Sequence, residues 1–302
     1  MAGYKALLED GKQYLKERQI EDGNLDAWLL LEHVCGISRS WYFVHEDEEV
    51  PKEQAEQYQK LLVKRGERIP LQQLTHEAYF YGMKFYVNEH VLIPRQDTEI
   101  LIEEVLKEAG GKKGLCILDM CTGSGCILLS LLAHLKEAEG TGADLSKEAL
   151  KVAERNGKDL GISAQWINSD LFELVSGKYD ILVSNPPYIQ TEVIEGLMEE
   201  VKFHEPRMAL DGREDGLYFY RRITRQAGNY LNPQGILAFE IGYDQGEAVA
   251  QLMKEQGYTE VKVIQDLAGL DRVVIGKKNQ EENHEGSILE QHREYRENGR
   301  NA

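Results

Sequence analysis

Apolar residues recur at helical spacing through the N-terminal part of the chain. Leu7, Leu8 and Leu15 fall on one face of a first helix, and similar spacing continues after it. Pro51 suits the first turn of a further helix, because its missing N–H would have no partner there in any case. The pattern predicts a helical domain over residues 1–72.

The stretch "AYFYGMKFYVN" changes to an alternation of aromatic and other residues around Gly82. Alternation is the period of a strand, and a glycine at the centre suits a tight turn. We therefore predict a β-hairpin linker over residues 73–95. A helix is expected to begin near Asp97 or Thr98 and to stop at Gly110–Gly111.

From residue 96 to residue 277, short apolar runs alternate with stretches of helical spacing. This alternation predicts a mostly parallel, doubly wound α/β sheet with helices on its faces. The last two strand candidates are separated only by "AGL", so we expect a hairpin that places one antiparallel strand at the edge. The seven strand candidates are "LCILDM", "TGADLS", "AQWINSD", "YDILVSN", "GILAFEIG", "VKVIQDL" and "DRVVIG".

Charge and composition narrow the functional class. The net charge of the 302 residues is −17, which argues against direct nucleic acid binding, because such binding needs a basic surface. Four cysteines in a chain of this length do not indicate a disulfide framework. No stretch has the pattern of a signal peptide, and no apolar run is long enough to cross a membrane. We expect a cytoplasmic protein without a membrane partner, and a disordered polar tail over residues 278–302.

Four consecutive strands of the predicted sheet are each followed by polar or glycine-bearing residues. In an open α/β sheet, ligands bind beyond the carboxyl ends of the strands. We therefore expect one crevice lined by Cys121, Thr122, Gly123, Ser124 and Gly125, then Asp144, then Asp170 with Leu171, and finally Asn185, Pro186, Pro187 and Tyr188.

The first part of this crevice suits a ligand that carries a ribose. Gly123 and Gly125 let the backbone approach a ligand without a Cβ in the way. Asp144 follows about 20 residues later, the spacing at which a carboxylate accepts ribose hydroxyls. Asp170 could accept from an adenine amine, while Leu171 or the phenylalanine after it covers the ring. The loop lacks the full G-x-G-x-x-G order, so the adenosine part of S-adenosylmethionine fits better than a dinucleotide.

The segment from Asn185 to Tyr188 ends the fourth strand with a rigid set of acceptors. The two prolines have φ fixed at about −65° and carry no N–H, so the backbone presents carbonyls in a set direction. The Asn185 side-chain oxygen and the Pro186 carbonyl can accept both hydrogens of a planar –NH2 group, and Tyr188 offers a flat surface. Such an amine is a poor nucleophile because its lone pair is delocalised. Holding both hydrogens directs the lone pair at an electrophile.

The chain resembles the protein-(glutamine-N5) methyltransferases, a branch of the class I S-adenosylmethionine-dependent enzymes. The resemblance lies in Asn-Pro-Pro-Tyr at 185–188, in "VLIPRQDTEILIE" (91–103) and in "ILDMCTGSGCI" (117–127), and it covers about residues 1–277. It implies a Rossmann-like seven-stranded domain over 96–277 that uses S-adenosylmethionine. The implied substrate is the glutamine of the Gly-Gly-Gln motif in peptide chain release factors.

The resemblance also assigns roles to residues. The resemblance implies that the target amide is held by Asn185, Pro186, Pro187 and Tyr188. It implies that the cofactor is bound by the stretch 121–125 and Asp144, with Leu171 close to the adenine. It also implies that a loop carrying Arg95, Thr98 and Glu99 closes over the methionine end of the cofactor. All of these residues lie beyond position 90. We therefore expect the domain over residues 1–72 to recognise the release factor.

One position departs from the family pattern, because Cys121 stands where the family usually has glycine. A Cβ is tolerable there only at negative φ, so we expect Gly123 and Gly125 to supply any unusual backbone. The spacing of Cys116, Cys121 and Cys126 is no zinc pattern, and a fourth ligand is not evident, so we expect no metal.

Three alternatives share parts of this pattern. A ribosomal-protein glutamine methyltransferase would use the same site, although "PRQDTE" favours the release-factor branch by resemblance. An enzyme acting on the exocyclic amine of adenine or cytosine in nucleic acid would need the same acceptors, but the acidic charge weighs against it. A binding module that kept only the fold would be expected to have lost the acceptor pair, and Asn185 is present.

Overall fold

The N-terminal region is a compact group of five helices. A computed structural model describes residues 3–280 of the chain. Leu15, Leu30 and Tyr58 are fully buried where the helices meet, and the Tyr58 hydroxyl donates to the Ala27 carbonyl at 3.1 Å. The helices are α1 (Tyr4–Glu17), α2 (Gly23–Cys35), α3 (Arg39–His45), α4 (Lys52–Gly66) and α5 (Leu71–Thr75).

A two-stranded hairpin follows, as the alternation predicted. Strand β1 (Glu77–Phe80) pairs antiparallel with β2 (Met83–Tyr86) across Gly82, which has a φ of 74°. Phe80 and Phe85 are buried against the next helix, α6 (Thr98–Ala109), which begins and ends where the sequence indicated. The hairpin is thus packed onto the domain that follows it.

A seven-stranded sheet forms the larger part of the molecule and confirms the predicted α/β class. All seven strand candidates are strands. The elements are β3 (Cys116–Met120), α7 (Cys126–His134), β4 (Glu139–Asp144), α8 (Lys147–Leu160), β5 (Gln165–Asn168), β6 (Tyr179–Ser184), a 3-10 turn (Val193–Gly196), α9 (Glu199–His204), α10 (Arg207–Leu210), α11 (Tyr218–Ala227), β7 (Leu231–Glu240), α12 (Gly246–Glu255), β8 (Tyr258–Gln265) and β9 (Asp271–Lys278).

The order of the strands is β5-β4-β3-β6-β7-β9-β8. The predicted hairpin of the last two strands is confirmed, but the expectation that it places the reversed strand at the edge is wrong. The antiparallel strand is β9, which lies between β7 and β8 and pairs antiparallel with both. The physical reason is burial: Val273, Val274 and Ile275 of β9 are covered on both faces, whereas β8 is mostly exposed and suits the edge.

Strand β9 also extends to Lys278, one residue past the predicted domain boundary at 277. The tail predicted to be disordered, 278–302, otherwise lies outside the described residues from 281 onward. No helix within residues 3–280 combines the length and the apolar character needed to cross a membrane.

Helices cover both faces of the sheet. Side chains of α6 and α7 pack with Ile117 on one face, and side chains of α11 and α12 pack with Leu118 on the other. The chain moves outward from β3 through β4 to β5 and then returns to place β6 on the other side of β3. This reversal opens a crevice between the carboxyl ends of β3 and β6, where ligands bind in such folds.

Candidate active site

A cavity of about 460 Å³ lies at this reversal point. It lies beyond the carboxyl ends of β3, β4, β5 and β6, so the four strand ends meet in one place. The predicted residues that line it are Arg95, Thr98, Cys121, Thr122, Gly123, Ser124, Asp144, Asp170, Leu171, Asn185 and Pro187.

Four predicted site residues do not line the cavity: Glu99, Gly125, Pro186 and Tyr188. The Glu99 carboxylate accepts the Tyr81 backbone N–H at 2.8 Å, so it ties the hairpin turn to α6. Gly125 precedes α7 with a φ of 77°, and a Cβ there would lie 3.0 Å from Trp166. Its glycine is needed for turning and packing.

Asp144 is held by backbone donors at both of its oxygens. Its Oδ2 accepts the Gly123 N–H at 2.9 Å, and its Oδ1 accepts the Ser146 N–H at 2.8 Å. Ser146 caps α8 by accepting the Ala149 N–H at 3.1 Å, so Asp144 is free of that role. Burial raises the pKa of Asp144, and the backbone N–H groups oppose that rise. The carboxylate is therefore fixed against the glycine loop.

Asp170 and Leu171 form the next part of the cavity wall. The Asp170 carboxylate accepts from the Arg222 guanidinium at 2.9 Å. Leu171 is buried with a φ of 50°, and the Ser169 hydroxyl donates to its carbonyl at 2.7 Å. Of the two residues considered for covering a ring, Leu171 lines the cavity, whereas Phe172 stacks on Tyr230 away from it.

The segment after β6 is clamped through its backbone. The Ser184 hydroxyl donates to the Met120 carbonyl at 2.6 Å, and Gln245 Nε2 donates to the Tyr188 carbonyl at 3.0 Å. A Cβ on Gly212 would lie 2.7 Å from the Tyr188 backbone, so that glycine permits close approach. Between these anchors Asn185 is half-buried and faces the cavity.

Comparison with known proteins decides the family. A release factor glutamine methyltransferase of Caulobacter vibrioides is 41% identical over 271 residues, which cover 89% of this chain and 94% of that protein. One from Geobacter sulfurreducens is 38% identical over 274 residues, covering 90% and 96%. The chain belongs to the release factor glutamine methyltransferase family.

Two family models agree with this membership, and a solved structure shares the fold. Residues 6–75 match the PrmC N-terminal domain, and residues 95–211 match the methyltransferase small domain. The fold is shared with a methyltransferase from Pyrococcus furiosus at a TM-score of 0.50 and 17% identity, over 66% of this chain and 90% of that one. Membership in the protein-(glutamine-N5) methyltransferases, expected from the motifs, is thereby confirmed.

Cys121, the departure from the glycine usual in this family, has a φ of 62°. The expectation of a negative φ is therefore wrong. The loop keeps the glycine-like turn because the backbone on either side is bonded: the Met120 carbonyl accepts the Ser184 hydroxyl at 2.6 Å, and the Thr122 N–H donates to the Ala143 carbonyl at 3.1 Å. A left-handed non-glycine residue is strained by about 1–3 kcal/mol. Burial raises the pKa of the Cys121 thiol, which therefore stays neutral.

Arg95, on the loop that the family resemblance places over the cofactor, pairs with a buried acid. Its guanidinium donates to Glu205 Oε1 at 2.6 Å, and the Glu205 side chain is only 1% exposed. Glu205 follows α9, which the N-terminal helices also contact: Arg65 pairs with Glu200 at 3.2 Å, and Gln73 donates to the His204 carbonyl at 2.7 Å. The loop and the N-terminal helices therefore share one anchoring segment.

Three buried polar residues next to the cavity were not predicted as site residues. Asp119 accepts from the Thr122 hydroxyl, and burial raises its pKa to about 7. Gln245 clamps Tyr188 as described above. Glu240 ends β7 and is 4% exposed. The sequence could have indicated Glu240, because it is a polar residue at the carboxyl end of β7. That strand follows the four whose ends were considered.

Proposed function

We propose that this protein transfers a methyl group from S-adenosylmethionine to the side-chain nitrogen N5 of the glutamine in the Gly-Gly-Gln motif of peptide chain release factors. The observation that carries the proposal is the shared cavity. Asn185, the predicted holder of the target amide, lines the same 460 Å³ space as Gly123 and Asp144, the predicted cofactor contacts. The family membership supports the same assignment.

The residues present fit S-adenosylmethionine. Asp144 Oδ2 accepts the Gly123 N–H and Oδ1 accepts the Ser146 N–H. A carboxylate has about four lone-pair sites, so Asp144 can still accept from a ribose hydroxyl. Leu171, Ala143 and Ile127 supply apolar wall for a flat base. The volume also lies in the range of about 300–1,000 Å³ typical of small-molecule sites.

The proposed chemistry is a displacement in which one N–C bond forms and one C–S bond breaks. When bound, S-adenosylmethionine supplies an electrophilic methyl group on a sulfonium. The Asn185 side-chain oxygen and the Pro186 carbonyl accept the two N–H groups of the target amide. These hydrogen bonds strengthen as the nitrogen becomes positive, so they favour the transition state over the ground state.

The amide proton leaves to solvent, and the proposal needs no histidine base. His204 was the candidate closest in sequence. Its Nε2 lies 3.2 Å from the Glu67 carbonyl, and the residue does not line the cavity. Positioning of the two reactants in one cavity supplies most of the rest of the rate enhancement.

Labelled methyl transfer tests the proposal. The purified protein is incubated with S-adenosylmethionine labelled in its methyl group and with a release factor that carries Gly-Gly-Gln or Gly-Gly-Ala. We expect label in the first release factor alone. Label in both would contradict the glutamine assignment. Ribosomal proteins and nucleic acid are tested in parallel, and preferential labelling of either would favour the corresponding alternative.

We further propose that the N-terminal helices recognise the release factor. Phe43 and Val44 on α3 are 73% and 77% exposed, more than the exposed apolar residues of the other N-terminal helices, Leu25 at 46% and Val63 at 45%. Exposed apolar side chains next to each other suit contact with a protein partner. If this surface binds the release factor, loss of the Phe43 side chain should weaken that binding and leave cofactor affinity unchanged.

A further inference from the structure

The carboxyl group of Glu240 lies behind the proposed amide-binding segment. In the parallel pairing of β6 with β7, Ser184 stands opposite Phe239. The next residues along the two strands are Asn185 and Glu240, so they are neighbours where both strands end. The Tyr188 hydroxyl also approaches Glu240, donating to its Oε1 at 3.4 Å.

Glu240 has little room to move and does not itself line the cavity. Its backbone carbonyl accepts the Tyr220 hydroxyl at 2.9 Å, and the residue is 4% exposed. Its Oε2 makes no hydrogen bond to any residue from 3 to 280. A buried carboxyl oxygen without a partner is costly, so this atom is open to a donor.

The groups that face the carboxyl come from three elements. Asn185 and Tyr188 follow β6, while Asp97 and Thr98 begin α6. Arg272 of β9 pairs with Asp97 at 3.2 Å. The hydrogen-bonding groups next to the Glu240 carboxyl are the Thr98 and Tyr188 hydroxyls and the Asn185 amide. Burial raises the pKa of Glu240 to about 7, and Asp97 adds to that rise.

We infer that Glu240 is a positioning residue, which accepts from the Asn185 amide –NH2 through Oε2 and so turns the Asn185 side-chain oxygen toward the target amide. The inference rests on the proposed function, because it concerns the acceptor that holds the glutamine. Above a pH of about 7 Glu240 is a carboxylate, which only accepts hydrogen bonds, so beside it the asparagine has one favourable orientation. The kinetic tests are therefore made above that pH. A neutral amide at position 240 would accept or donate, and the flipped asparagine would then present –NH2 to the target –NH2.

Glu240→Gln is the first test. It keeps the shape and removes the acceptor-only character. We expect kcat for methyl transfer to the release factor, at saturating cofactor, to fall roughly 10- to 100-fold, the effect of a misplaced reacting group. The Kd for S-adenosylmethionine, measured by calorimetry, should not change. Glu108→Gln is the matched control, because Glu108 pairs with Lys262 and Lys277 at the far end of α6 and should leave kcat unchanged.

An exchange of the two side chains gives the decisive result. In Asn185→Asp/Glu240→Gln the new amide donates to the new carboxylate, whose second oxygen still faces the target. We expect this double variant to exceed the kcat of both Asn185→Asp and Glu240→Gln. A purely structural role of Glu240 predicts that the two losses add. If Glu240→Gln does not fold, the double variant, which keeps one amide and one carboxylate, is compared with Asn185→Asp alone.

The outcomes separate the two proposals. If the wild-type protein labels no release factor, the proposed function fails and the inference fails with it. If the wild-type protein labels the release factor but Glu240→Gln has the wild-type kcat, only the inference fails. A double variant that does not exceed both single variants, or a parallel loss of cofactor affinity in Glu240→Gln, also overturns the positioning role.

Discussion

Replacement of Asn185 by alanine removes one of the two proposed acceptors for the target –NH2. The rest of the segment should stay in place, because Ser184 is bonded to Met120 at 2.6 Å and Tyr188 is clamped by Gln245 at 3.0 Å. The truncation therefore isolates the side-chain acceptor. Asp144 and the loop at 121–125 are untouched.

The magnitude follows from the loss of one hydrogen bond that strengthens in the transition state. Removal of one such group from a preorganised site typically costs about 2.7–4 kcal/mol, or 10²–10³ in turnover. The half-buried position of Asn185 at the cavity wall supports an effect of this size, since bulk water replaces a lost acceptor poorly in a crevice. We expect Asn185→Asp, which keeps an acceptor oxygen, to lie between the wild-type protein and Asn185→Ala.

Single-turnover methyl transfer to a release factor at saturating S-adenosylmethionine measures the effect directly. Cofactor affinity is measured by calorimetry on the same preparations and should fall far less than the rate. If Asn185→Ala transfers methyl at the wild-type rate, Asn185 is only a turn residue, and the acceptor role assigned to it is wrong.

Four further changes test other parts of the structure. Asp144→Asn should weaken S-adenosylmethionine binding by about 1.5–3 kcal/mol, because charged acceptors make the stronger hydrogen bonds; unchanged affinity in calorimetry would refute a contact with the cofactor. Cys121→Gly should raise the free energy of unfolding by about 0.5–1 kcal/mol, since relief of the left-handed backbone, about 1–2 kcal/mol, exceeds the entropy cost of glycine, about 0.5–1 kcal/mol; a lower stability in urea titrations would contradict this. Burial raises the pKa of Asp119 to about 7, so between about pH 4 and pH 7 the folded state keeps a proton that the unfolded state has lost. As the pH rises through that range, the free energy of unfolding of the wild-type protein relative to Asp119→Asn should therefore fall by up to about 4 kcal/mol. A difference that is independent of pH in urea titrations would show that the carboxyl is ionised throughout. Phe43→Ser should raise KM for the release factor without altering cofactor affinity, and equal KM values would place recognition elsewhere.

Local pattern was sufficient for the elements and for the part of the cavity wall formed by the predicted residues after the four strands, but it did not indicate the wall formed by residues 206–209. The seven strands and the hairpin around Gly82 are visible as short apolar or alternating runs, because burial of a strand face depends on its own residues. The positions of Asp144 and Asn185 in the cavity wall could be predicted because parallel strands bring their carboxyl ends to one edge. The order of the strands was not needed for that step.

Features that depend on contacts between distant parts of the chain could be seen only in the tertiary structure. Strand β9 lies between β7 and β8 because its continuous apolar run needs cover on both faces, and the partner that covers it is remote in sequence. Cys121 has a positive φ because bonds of its neighbours with Ala143 and Ser184 outweigh the preference of its own Cβ. Glu240 stands beside Asn185 because the register of two strands more than 50 residues apart aligns their ends. Local sequence sets what each segment prefers, and long-range packing decides which of those preferences are overridden.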